Sequence, residues 1–97
     1  MEELKLLEQE LINAVCSYVA DQHYAYPENV MAVLTYDDEI GYGADIELNG
    51  KDLDSLTEAQ LVKAIRKWLE EEYSIDPFAV SIRLEIEDDE GMVAYVD

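Results

Sequence analysis

Two stretches of the chain repeat apolar residues at three- and four-residue steps, the spacing that lines up one face of a helix. In the later stretch they are Leu61, Ala64, Ile65, Trp68 and Leu69, and in the earlier one Leu11, Ala14, Val15, Tyr18 and Val19. Thr57-Glu58-Ala59-Gln60 has the form of a capping box, so a helix is expected to start there. Pro27 and Pro77 drive the residue before them out of helical geometry, and each helix must stop short of its proline. Beyond Pro77 the period changes to two: Val80, Ile82, Leu84 and Ile86 alternate with Ser81, Arg83, Glu85 and Glu87, giving a strand with one dry and one wet face. Beyond Pro27, Val30, Ala32, Leu34 and Tyr36 take the core side, and Met31, Val33 and Thr35 point the other way. Turns at Asp37–Gly43 and Asp88–Gly91 reverse the chain. The returning strands aim Tyr42, Ala44, Ile46 and Leu48 inward in the first half, and Met92, Ala94 and Val96 in the second.

Shifting the chain against itself by 50 residues aligns 8–47 with 58–97 without a gap. Nine of the 40 pairs are identical, among them Glu8 with Glu58, Pro27 with Pro77, Gly41 with Gly91 and Ala44 with Ala94. Helix, proline, strand and hairpin signals fall in register as well. The sequence therefore reads as two tandem α-β-β repeats, 8–47 and 58–97, joined by a polar connector at 48–57. A hairpin under one helix buries too little area to stand alone, so the halves must share a core. The expected fold class is α+β. It is a single domain over 1–97, with a four-stranded, mostly antiparallel sheet, both helices packed on one face and a pseudo-two-fold axis between the halves. Strand order is left open.

Charge narrows the range of partners. The 97 residues hold 24 Asp and Glu against six Lys and Arg, for a net −18. Direct binding to nucleic acid or to an anionic membrane is disfavoured, because both would be repelled. The basic residues are unevenly placed: none lies between residues 6 and 50, so the first repeat carries −9, whereas Lys63, Arg66, Lys67 and Arg83 all lie in the second. On the second helix three cations precede Glu70-Glu71-Glu72, the reverse of what the helix dipole favours. The start, Met1-Glu2-Glu3-Leu4-Lys5, lacks the basic and apolar run of a secretory signal, and no apolar stretch reaches the ~18 residues of a spanning helix. With one cysteine, no internal disulfide can form, and a cytoplasmic location is expected.

Candidate chemistry is sparse. The single histidine, His23, sits seven residues after Cys16, about 10 Å along a helix and too far for a nucleophile–base pair. The acidic turns Asp37-Asp38-Glu39 and Asp88-Asp89-Glu90 gather carboxylates, but they do not follow the twelve-residue calcium-loop pattern. Gly41-Tyr42-Gly43 is too short to cradle a phosphate and lies among acids. No catalytic, metal-binding or cofactor-binding residues are assigned, and no cofactor is expected. The best binding candidate is the sheet face turned away from the helices. Met31, Val33, Val93 and Tyr95 would form one apolar patch there if the first and fourth strands were neighbours.

Leu11-Ile12-Asn13-Ala14-Val15-Cys16, Val30 through Tyr36-Asp37-Asp38-Glu39, Thr57-Glu58-Ala59, Ala64-Ile65, Trp68-Leu69-Glu70-Glu71, Asp76-Pro77-Phe78-Ala79-Val80 and Gly91-Met92-Val93-Ala94-Tyr95 together make a distinctive set. In these segments the chain resembles the YxcD-like family, small uncharacterised proteins of Bacillus and relatives. The resemblance implies a compact cytosolic protein and brings no site residues. The expected role is non-enzymatic: a protein–protein interaction module or homodimer acting through the exposed sheet face. One alternative is an acidic nucleic-acid mimic that occupies a basic nucleic-acid-binding protein. Another is a weak divalent-metal-binding protein using the acidic turns.

Overall fold

A computed structural model describes residues 3–97. The chain runs β1 (Leu4–Leu6), α1 (Glu8–His23), a short 3-10 turn (Pro27–Asn29), β2 (Val30–Asp37), β3 (Gly41–Leu48), β4 (Lys51–Leu56), α2 (Glu58–Tyr73), β5 (Ile82–Glu87) and β6 (Gly91–Val96). Both expected helices form, and their apolar stripes are buried apart from Trp68, which is half-buried. Thr57 accepts from the Gln60 amide at 3.2 Å while Gln60 accepts from the Thr57 amide at 2.9 Å, completing the capping box. Each helix stops at a residue in the left-handed region, Tyr24 or Ser74, both at φ 54°. That turn comes three residues before each proline, so the prolines follow ends that the αL caps make.

The strands do not form one four-stranded sheet. They make two three-stranded antiparallel sheets, ordered β1-β6-β5 and β2-β3-β4. The hairpins β2–β3 and β5–β6 form as expected, but each acquires a third strand: β5–β6 takes β1 from the opposite end of the chain, and β2–β3 takes β4, which follows β3 directly through the turn Asn49-Gly50. Leu4, Lys5 and Leu6 pair with Val96, Tyr95 and Ala94, and β4 pairs with β3. The stretch read as a polar connector, 48–57, is therefore mostly strand β4. Lys51, Asp52, Asp54 and Ser55 stay exposed while Leu56 is buried and Leu53 half-buried, a composition suited to a sheet edge bathed in water. Element order in each half is thus β-α-β-β, and with two sheets there is no single face for both helices to cover.

The core draws on both helices and on the inner faces of both sheets. Leu6, Leu11, Val15, Leu61, Ile65 and Leu69 are fully buried within it, and Ala44, Ile46, Met92, Ala94 and Val96 join them. Leu56 lies opposite Ala44, and Leu6 opposite Ala94. A small residue on each central strand faces a leucine on the strand that the helix follows. Where those short strands leave their sheets, a carboxylate continues the ladder: Glu58 accepts from the Tyr42 amide at 3.0 Å and Glu8 from the Met92 amide at 3.1 Å. Both carboxylates sit in the first turn of a helix, where negative charge is favoured. Gly41 and Gly91 precede the two donors at φ 88° and 69°, and a Cβ on either would run into that carboxylate.

The helices also meet each other. Glu10 of α1 accepts from Trp68 Nε1 at 3.0 Å and from the Tyr73 hydroxyl, and Lys67 pairs with Asp21. Arg66 donates to the carbonyls of Pro77 and Val80. The unfavourable order of charges along α2 is accounted for by these contacts, since two of its three cations are committed to partners outside the helix. Hydrogen bonding to Glu10, with some burial, pushes Tyr73 from 10.0 up to about 12. A raised value favours the neutral phenol in the fold, so this contribution is whole below pH 10 and lost as pH rises towards about 12. The stability gap between wild type and Tyr73→Phe is expected to narrow across that interval, read from urea unfolding at fixed pH. A constant gap would exclude the linkage.

Candidate protein-interaction surface

The four residues expected to share a face are divided between the sheets. Met31 and Val33 lie on the outer side of β2, 64 % and 62 % exposed. Val93 is fully buried and Tyr95 half-buried, both on β6. The single patch therefore does not form. β1 inserts beside β6, makes it a central strand and brings Lys5 alongside Tyr95.

Around Tyr95 that flanking is ionic. Lys5 and Arg83 stand on either side of it in the ladder, their charged groups 5.6 Å and 4.8 Å from the ring centroid. Lys5 Nζ bridges Glu87 at 2.9 Å and Glu90 at 3.1 Å, and the Tyr95 hydroxyl donates to Glu87. The Tyr95 hydroxyl, followed by Lys5, holds the Glu87 carboxyl below its usual value of 4.5. This cluster was not foreseen in the sequence, because Lys5 lies 82 residues from Glu87.

The outer face of β2-β3-β4 has a different character. Met31 lies opposite Glu47 and Val33 opposite Asp45; Asp52 stands across from Glu47, and Ser55 donates to Asp45 at 2.6 Å. Met31, Val33, Asp45, Ile46, Glu47 and Asp52 line a shallow hollow of about 200 Å³. It is an apolar floor with a carboxylate rim, and no Lys or Arg occupies these ladder positions. Fifty residues on, β5 carries Arg83 where β2 carries Val33, and Ser81 precedes it where β2 carries Met31. That contrast was readable in the sequence; which face stayed open was not.

β2 is also an open edge. Asn49 donates to the Asn29 carbonyl at 3.0 Å, which sets the ladder parity so that residues 29, 31, 33 and 35 bond to β3. Val30, Ala32, Leu34 and Tyr36 therefore turn N–H and C=O to the free side. Val30 is satisfied there, its N–H by the Pro27 carbonyl and its C=O by the Cys16 thiol at 3.4 Å. The edge free for pairing is Ala32, Leu34 and Tyr36.

The remaining candidates are placed as follows. Cys16 is half-buried, and desolvation pushes its thiol up from 9.0, away from the reactive thiolate. His23 is exposed at the end of α1, beside a hollow of about 230 Å³ that Gln22, Leu53, Asp54 and Gln60 also line. In the first acidic turn, Asp37 accepts from the amides of Glu39 at 2.8 Å and Ile40 at 3.1 Å, closing the hairpin. Among the described residues, no three His, Cys, Asp or Glu side chains are grouped to hold a metal ion. Nor, among them, is any helix long and apolar enough to cross a membrane.

The chain is 28 % identical over 94 residues to the uncharacterized protein YxcD of Bacillus subtilis (strain 168), covering 96 % of this chain and 91 % of that one. No solved structure matches it. A family model described as a protein of unknown function, DUF2653, matches residues 1–89, nearly the full length that folds into the two sheets and their helices, and the chain belongs to that family.

Proposed function

We propose that this chain is a non-enzymatic protein–protein interaction module of the cytoplasm, whose contact surface is strand β2: its outer face at Met31 and Val33 and its open edge from Ala32 to Tyr36. One observation carries the reading. Two large apolar side chains stand side by side, each more than 60 % exposed, on a sheet edge where the segment 50 residues on presents Ser81, just before β5, and Arg83 within it. The matches at that spacing support reading the halves as internal copies, of which one kept a polar edge and the other a sticky one.

The double variant Met31→Ser/Val33→Arg rewrites β2 with the residues found 50 positions on, at Ser81 and Arg83, so the fold is expected to tolerate it. Association measured by light scattering, and by capture of proteins from lysate, should weaken at least tenfold relative to wild type, about 1.4 kcal/mol. Equal association by both proteins would remove β2 as the contact. Capture of basic proteins that is unaffected by the variant, and lost at high salt, would favour the nucleic-acid-mimic reading, for which the first half, without Lys or Arg between residues 6 and 50, speaks.

A further inference from the structure

Resting on that reading of β2, we propose that its occupant is an extended segment of another protein, alternating basic and apolar residues, which adds to the β2-β3-β4 sheet as a fourth strand. Four strands lie at sheet edges, and three are blunted against such pairing. β1 is three residues long; β4 carries Lys51, Asp52 and Asp54 and meets β3 through a register shift; β5 bears Arg83, Glu85 and Glu87, tied into ion pairs. β2 has eight residues, no proline, an unbroken ladder to β3 and a single charge, at its end. Eight residues span about 26 Å of strand, and the free stretch from Ala32 to Tyr36 offers alternate N–H and C=O groups along its middle.

The side chains specify the guest. On the inner side a newcomer would lie beside Ala32 and Leu34, both half-buried, and Tyr36, which is 51 % exposed; apolar residues would extend the core there. On the outer side it would lie beside Met31 and Val33, with Asp45 and Glu47 one strand further in. A Lys or Arg can lay its aliphatic stem over Met31 and Val33 and deliver its charge to those carboxylates. A second copy of this chain fits poorly, because it would bring the same carboxylates to the joint from a body of charge −18. Charge complementarity thus selects a cationic strand over self-pairing.

The test uses the full chain, labelled with nitrogen-15, and an eight-residue fluorescent peptide of alternating lysine and valine. The expected result is saturable binding by anisotropy that weakens with salt, with amide shifts centred on Ala32, Leu34 and Tyr36. Methylating the alternate peptide nitrogens that would face β2 should cost at least tenfold, as should glutamate in place of lysine or the Met31→Ser/Val33→Arg variant. Binding insensitive to N-methylation, or shifts centred elsewhere on the acidic surface, would mean charge attraction without strand addition and would overturn the proposal. If no peptide binds but wild type forms a dimer that the double variant dissolves, a second copy is the occupant: the proposal fails and the interaction surface stands. If neither peptide nor self-association responds to the variant, the reading of β2 as a contact surface fails with it.

Discussion

Leu6→Ala is expected to cost about 2–5 kcal/mol of stability, as much as a leucine at the centre of a large core, although it lies in a three-residue strand near the chain's start. Leu6 is fully buried and stands opposite Ala94 in the middle of β6, so its side chain joins the first strand to the second half. Truncation loses its transfer energy and leaves a cavity lined by a short-side-chained partner that cannot close it. Leu7 is the control: one residue on and 46 % exposed, its truncation should cost under about 1 kcal/mol. Urea unfolding followed by Trp68 emission separates the two. Equal effects would mean that β1 is an accessory of the sheet rather than part of its core.

Gly43→Val is expected to unseat β4, lowering the melting temperature by on the order of 10 °C. A Cβ at Gly43 would come within 2.6 Å of the Leu56 carbonyl oxygen, a backbone atom that cannot swing aside as a side chain can. The β3–β4 register shift lies beside this point, between Ala44 and Ile46, so the two backbones approach closely where the ladder changes step. Overpacking of this kind costs about 1–3 kcal/mol, and each kcal/mol moves the midpoint of a chain this size by about 4–8 °C. The position 50 residues later, Val93, carries that side chain fully buried. A valine is therefore acceptable on one central strand and excluded from the other by a carbonyl. Amide exchange should show faster opening of β4 in the variant; unchanged protection there would argue that β4 shifts without cost.

The parts of this protein legible in its sequence are those whose cause is local. Capping at Thr57 and Gln60, the helical stripes, and the alternation along β2 and β5 all depend on neighbours within a few residues, and each element forms close to where its pattern placed it, although β5 starts at Ile82 rather than Val80 and leaves Ile86 51 % exposed. The exposed half of the proposed contact, Met31 and Val33, was legible for the same reason. Pairs 50 residues apart went further, since Glu8 with Glu58 and Gly41 with Gly91 occupy matching positions at the two hairpins.

Other features depend on which distant backbone lies alongside. Three residues of β1 show one and a half periods of alternation, too few to mark a strand, and the polar residues of β4 suit a solvated edge as well as a loop. Pairing makes them strands: across the chain for Leu6 with Ala94, but only 12 residues apart for Leu56 with Ala44, where Asn49-Gly50, both at positive φ, make the two-residue turn from β3 to β4. The pairing of β1 with β6 sets Lys5 beside Tyr95, opposite the Arg83 that the β5–β6 hairpin supplies, and β2 is left at an edge. Side-chain period reports how a segment meets water, so it determined the faces of the helices and hairpins. Sheet order is set by how segments far apart in sequence close a common core, and that was decided only by the tertiary structure.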